Sequence, residues 1–159
     1  MTNPIDAAAW FINHVDRDSG DSMTPLKLQK LLYYAQAWHL LAFDRPLFQE
    51  DMQAWAHGPV VPSVYHEFKE YGFNSIPEYH GADEIDADSE GILAQVADIY
   101  GEFSAKRLEA MTHMEDPWKD ARRGLAPEAR CEAVISKDAI KAYFQRTYGE
   151  MTDGQDAAA

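Results

Sequence analysis

Apolar residues recur with a helical period through most of the chain. Ala8, Ile12 and Val15 share a face between Pro4 and Val15, with Trp10 and Phe11 beside them, and this predicts a first amphipathic helix. "RDSGDSM" breaks it, Gly20 and its polar neighbours supplying a turn. The next stretch, "MTPLKLQKLLYYAQAWHLLAF" from Met23 to Phe43, carries Leu28, Leu31, Leu32, Ala35, Trp38 and Ala42 on one stripe. Leu26, Ala37, Leu40 and Leu41 lie on the other side with Lys27 and Lys30, so Gln29 and Gln36 mark only a narrow polar strip. A helix apolar nearly all round is buried on several sides, so this one is central. Thr24 suits its N-cap and Pro25 its first position.

After the turn "FDRP", Leu47–Phe48 and Met52–Ala56 read as short extended segments. In the second, Met52, Ala54 and Ala56 alternate with Gln53 and Trp55, which predicts a small β-hairpin. Pro62 opens a helix with Val61, Val64, Tyr65, Phe68 and Tyr71 on one face and Gly72 closing it. An acidic loop follows, from Glu78 to Glu90. Further helices begin near Ser89, after Ser104, at Asp116–Pro117–Trp118 with Asp116 as cap, and at Ser136, the last ending at Gly149; Val134–Ile135 suits a short strand. The expected fold is mainly α: a single compact helical domain around a central apolar helix, over residues 1–149. "EMTDGQDAAA", residues 150–159, has little apolar surface to dock and is expected to be a flexible tail.

Length and composition narrow the class. The 159 residues suffice for one domain with a real core, and an apolar share of 46% argues against disorder. No run approaches the roughly 20 apolar residues of a membrane span, and "MTNPIDAAAW" has no basic region ahead of an apolar one, which speaks against a signal peptide. The lone Cys131 excludes an internal disulfide and fits a reducing, cytoplasmic setting. A net charge of −13 repels nucleic acid and anionic membranes and favours a basic partner. Arg122, Arg123, Arg130, Lys106 and Arg107 are the best candidates for a basic stripe; in so acidic a chain they are expected in intramolecular pairs.

Candidate chemistry is sparse. The six histidines form no metal pattern, and "HEFKE" at His66 lacks the second histidine of a zincin. For His14, His39, His66, His80 and His113 a surface or partly buried imidazole is the simpler reading. Ser63 lacks a glycine-flanked elbow, Cys131 has Arg130 offset by Glu132, and no glycine-rich phosphate loop exists. A hydrolase using His57 or His66 would need a metal or nucleophile that is not apparent. No catalytic residue, metal or cofactor is expected. What stands out is aromatic and proline content in one region: Trp38, Phe48, Trp55, His57, Pro59, Val60 and Tyr65. It reads either as packed core with a structural turn or as a half-exposed aromatic groove for a partner peptide.

"MTPLKLQKLLYYAQAWHL", then "PLFQEDMQAWAHGPVVPSVYHEF", a Pro117–Trp118 pair after Thr112, and Ile140, Tyr143 and Phe144 together resemble the SocA-like antitoxin family, also called the Panacea domain, with phage-associated relatives. The likeness runs from about Pro4 to Tyr148, and the first two blocks carry its specificity. It implies a mainly helical, non-enzymatic bacterial domain that neutralises a cognate protein toxin by direct binding. In the SocA branch it further implies an adaptor that delivers the toxin to the ClpXP protease. Lys27, Leu28, Gln29, Lys30, Tyr34, Trp55, Gly58, Pro59 and Tyr65 match the family blocks. The expected partner-binding residues are Lys27, Lys30, Trp55, His57, Pro59 and Tyr65, with the polar helix positions either tying the hairpin down or facing a partner. Ala157, Ala158 and Ala159 resemble the end of the ribosome-rescue tag that ClpX reads, and are expected as a protease-recognition tail. The alternative is a DNA-binding autorepressor of its own operon, against which the charge argues.

Overall fold

The computed structural model describes residues 1–79 and 84–158, the last nine for their backbone alone. Among these are seven α-helices and three short strands: α1 (Pro4–His14), α2 (Pro25–Phe43), β1 (Met52–Trp55), β2 (Gly58–Val60), α3 (Pro62–Phe68), α4 (Ala87–Tyr100), α5 (Ala105–His113), α6 (Asp116–Ala121), β3 (Val134–Ile135) and α7 (Lys137–Ala158). The mainly helical architecture and the small hairpin are therefore as the periodicity predicts. The start signals work as their chemistry requires. The Thr24, Ser104 and Ser136 hydroxyls accept the backbone N–H three residues on, at 3.3, 3.1 and 3.0 Å.

α2 is the hub, packed against α1, α3, α4, α5, α7 and β2. Leu28, Leu31, Leu32, Ala35 and Leu40 are buried along it, while Ala42 at its end is exposed. The other buried apolar residues come from every side of this helix: Ala8 and Ile12, Val64 and Phe68, Leu93 and Val96, Leu108, Ile140 and Phe144.

The sheet is antiparallel in the order β2-β1-β3, with Gln53 opposite Val60 on one side and Val134 on the other. Met52 and Ala54 are buried while Gln53 and Trp55 face outward, the period-2 alternation of a half-covered sheet. Leu47–Phe48 is not a strand. Ala56 belongs with His57 to the two-residue turn of the hairpin.

Gln29 and Gln36, the narrow polar strip of α2, are both buried, and of the two roles open to Gln29 and Lys30 the structure shows the tie to the hairpin segment. Three expectations change. Tyr65 points outward from α3, exposed at 39%, instead of inward with Val64 and Phe68. Asp116 is the first residue of α6 and not its cap, which is Glu115. Gly149 does not end α7, which continues to Ala158. Gly149 is absent from the positive-φ glycines, Gly20, Gly58, Gly72 and Gly124, so it is a helix-interior glycine and not a left-handed cap.

Candidate functional site

The hairpin is held by side chains that bind its backbone. From α2, the Gln29 amide works as a peptide group does: its oxygen accepts Val61 N–H at 2.8 Å and its nitrogen donates to the Val61 carbonyl at 3.3 Å. One residue on, Lys30 donates to the Pro59 carbonyl at 3.0 Å. From α6, Arg122 donates to the Ala54 carbonyl at 2.8 Å and Trp118 Nε1 to the Trp55 carbonyl at 2.7 Å. Gln36 does for the preceding loop what Gln29 does for β2, accepting from Leu47 N–H at 2.7 Å and donating to the Phe48 carbonyl at 2.9 Å. Buried loop backbone that lacks a strand partner is thereby satisfied.

Gly58 fits this clamp and little else would. Its φ is +109°, and a Cβ there would lie 2.7 Å from Lys30 Cε, 2.9 Å from Lys30 Nζ and 2.9 Å from Thr112 Oγ1. Lys30 is fully buried, and loss of hydration pushes its ammonium down to about 7, with Glu109 opposing. Burial likewise lowers His113, whose ring stacks on Trp118 at 4.0 Å.

The clamp leaves the outer face of the hairpin uncovered. Trp55 meets Tyr65 edge-on at 4.8 Å, and its Nε1 donates to Gln53 Oε1 at 2.8 Å. His57 stands at the hairpin tip with its side chain 72% exposed and Nδ1 3.4 Å from Glu109 Oε1. Trp55, His57 and Tyr65 form a ridge between two depressions and line both. One, about 610 Å³, is bounded by Gln53, His66, Glu128, Arg130, Cys131 and Glu132. The other, about 310 Å³, is an apolar groove walled by Leu26, Val60, Val64 and Phe68.

Of the expected partner-binding residues, the structure brings Lys30, Trp55, His57 and Tyr65 together. Lys27 lies apart: its ammonium donates to the Gly101 carbonyl, and it lines neither depression. Pro59 is buried and contributes through its carbonyl. Nothing is described of the side chains of Ala157 and Ala158; Ala159 and His80 lie outside the described residues.

Two supporting groups carried no signal of their role. Glu115 is buried, accepting from Tyr33 and Tyr34 hydroxyls at 2.8 Å each; burial raises its carboxyl and the two hydroxyls oppose that. Arg122 is buried over the Trp118 ring, and its hydrogen bonds go to the carbonyls of Ala54, Ala126, Pro127 and Ala129 rather than to a carboxylate. Of the other basic candidates, Arg130 pairs with Glu132 and Lys106 with Glu109, while Arg107 lies over Phe103. His39 is a buried clamp between the Arg45 carbonyl and Ser89. Among the described residues no group of three His, Cys, Asp or Glu can hold a metal ion, and no helix is long and apolar enough to cross a membrane.

The family model "Antitoxin SocA-like, Panacea domain" matches residues 28–119, more than half the chain, taking in the hairpin with Gln29, Lys30 and Trp118 of its clamp while Arg122 lies just beyond. The chain is also similar to Antitoxin SocA of Caulobacter vibrioides (strain NA1000 / CB15N), 33% identical over 133 residues that cover 76% of this chain and 71% of the relative. No solved structure gives a significant match. With most of both chains aligned and the hairpin block inside the family match, the chain belongs to the SocA-like antitoxin family, the Panacea domain.

Proposed function

We propose that this chain is the antitoxin of a toxin–antitoxin pair, acting in the cytoplasm by binding and neutralising a cognate protein toxin without turnover, and that the ridge of Trp55, His57 and Tyr65 is the docking surface. The observation that carries the choice of surface is the ridge itself: three large amphipathic side chains, two of them exposed, Trp55 and His57 on a hairpin fixed by buried hydrogen bonds and Tyr65 on the adjoining α3. Tryptophan and tyrosine dominate binding hot spots, and a rigid support lowers the ordering cost of binding. Lys30 and Pro59 support this surface, and Lys27 braces α2 against the end of α4.

The finer reading is a proteolytic adaptor. Residues 1–149 bind the toxin, and residues 150–159, closing in Ala157, Ala158 and Ala159, engage ClpX so that the toxin reaches ClpXP. Its support is the similarity to SocA and the run of small residues Ala157, Ala158 and Ala159.

A pull-down with an N-terminal tag, from cells holding a proteolysis-dead ClpP trap, tests both. A stoichiometric protein from the neighbouring gene supports the antitoxin reading, and co-recovery of ClpX supports the adaptor. The neighbour without ClpX removes the adaptor, and no protein partner in cells that express the neighbour overturns the antitoxin reading.

A further inference from the structure

The two depressions beside the ridge differ in charge. The larger one is lined by Glu128 and Glu132 with Arg130 between them. The apolar groove has no acidic residue on its wall, although the chain holds 27 Asp and Glu against 14 Lys and Arg. Its ionisable lining, apart from Tyr65, is basic: Lys30 below, His57 at the tip and Lys106 at the rim, the last with its side chain 80% exposed. Glu109 holds Lys106 at 3.7 Å and His57 at 3.4 Å from outside the groove, so it fixes two bases at the rim without presenting a carboxylate inside. Beside them Phe73, on the chain just after Gly72, is 95% exposed, an aromatic ring in water at the groove's edge.

From this juxtaposition of an uncovered apolar groove, an exposed phenyl ring and an all-basic rim in an acidic protein, we infer that the groove takes an apolar segment of the partner toxin carrying an acidic side chain directed at Lys106. The inference rests on the antitoxin reading and names the chemistry of the segment it binds. Apolar side chains fill the groove and cover Phe73, which supplies the affinity. The carboxylate selects register and partner, since a like charge at that point is repelled while an opposite one is steered in. A carboxylate on the partner also replaces Glu109 as the nearer anion for Lys106, and the existing pair is exposed and therefore weak.

Binding of the purified neighbouring-gene protein to the full chain, measured by titration calorimetry, tests it with Phe73→Ser, Lys106→Met, Lys106→Glu and, as a control on another surface, Met114→Ser. All three sites are exposed, so the four variants fold, which circular dichroism checks. The expected losses are about tenfold for Phe73→Ser, about threefold for Lys106→Met, and well over tenfold for Lys106→Glu, with Met114→Ser unchanged. One Asp or Glu of the partner, changed to Lys, is expected to restore binding to Lys106→Glu. Equal affinities for Lys106→Met and Lys106→Glu overturn the acidic side chain. Wild-type affinity in both Phe73→Ser and Lys106→Glu overturns the groove, while the measured complex keeps the antitoxin reading standing. Absence of a complex with the wild-type chain overturns that reading, and this inference with it.

Discussion

Replacing Lys30 with Met is expected to stabilise the protein at neutral to mildly acid pH and to destabilise it at alkaline pH. The amine is fully buried, held down from 10.5 to about 7, and makes one hydrogen bond, to the Pro59 carbonyl. Between those two values the unfolded chain keeps a proton on Lys30 that the folded chain has lost. The unfolded state therefore binds more protons, and stability contributed by this site rises with pH across the window. At about 1.4 kcal/mol per unit, the span of roughly 3.5 units corresponds to about 5 kcal/mol between its two ends. Methionine removes that titration while filling similar space, at the expense of the Pro59 hydrogen bond, about 1 kcal/mol. The variant should be more stable than wild type by about 3–4 kcal/mol near pH 6, about equal near pH 10, and less stable by about 1 kcal/mol only once the pH is well above the 10.5 of the unfolded chain. The amine is charge-coupled to Glu109 and His113, so the difference between the two curves reads Lys30 together with that coupling. Urea unfolding at several pH values between these limits reads it directly. Parallel curves, with a constant offset, would refute a buried amine that loses its proton near neutrality.

The other expectations concern the clamp and the second buried ionisable group. Gly58→Ala forces a Cβ against Lys30 and Thr112 at a φ of +109°, so unfolding free energy should drop by about 1–3 kcal/mol, with partner binding reduced at working temperature. Gln29→Leu leaves the Val61 N–H buried without its partner, while the Val61 carbonyl keeps the Tyr65 N–H at 3.0 Å, and should cost about 1–3 kcal/mol in a urea melt; near-neutral stability would mean water replaces the amide. Glu115→Gln tests the carboxyl raised by burial. A raised acid holds more protons folded than unfolded, so its contribution is present below its ordinary value of 4.5 and lost as pH rises through the shifted one. The Gln variant should therefore gain on wild type as pH rises from about 4.5, and a wild-type advantage growing with pH would contradict the assignment.

What could be read in the sequence, and what could not, follows from the range of the interactions. Thr24–Pro25, Ser104 and Ser136 act on backbone three residues away, so local spacing discloses them. Gln29 and Gln36 have the same polarity as surface residues but pair with backbone 32 and 11 residues distant; local spacing leaves Gln29 open between a tie and a partner contact, and gives Gln36 no role. Glu115 meets Tyr33 across 82 residues, and Arg122 meets Ala54 across 68. For Tyr65 the period correctly gives a helix, but an aromatic ring on the edge of the apolar face fits core and surface equally well. Gly149 reads as a stop because glycine is favoured at a left-handed cap. A helix continuing through it bears only about 1 kcal/mol relative to alanine, which neighbouring residues can offset.

These internal ties bear on which surface is left for a partner. α2 is the longest helix whose side chains are all described, yet its polar groups are spent inside the fold: Gln29 and Lys30 on β2, Gln36 on the preceding loop, His39 on Arg45 and Ser89, Lys27 on Gly101. A partner recruiting the polar side chains of α2 would have to break buried hydrogen bonds, each leaving a group unsatisfied at about 1–3 kcal/mol. The outer face of the hairpin carries no such obligation. Its backbone is already satisfied from beneath by Gln29, Lys30, Trp118 and Arg122, so Trp55, His57 and Tyr65 can be covered without any internal bond being lost. A surface of that kind is pre-organised, and different partner segments can lie on the same ridge without disturbing the core that presents it.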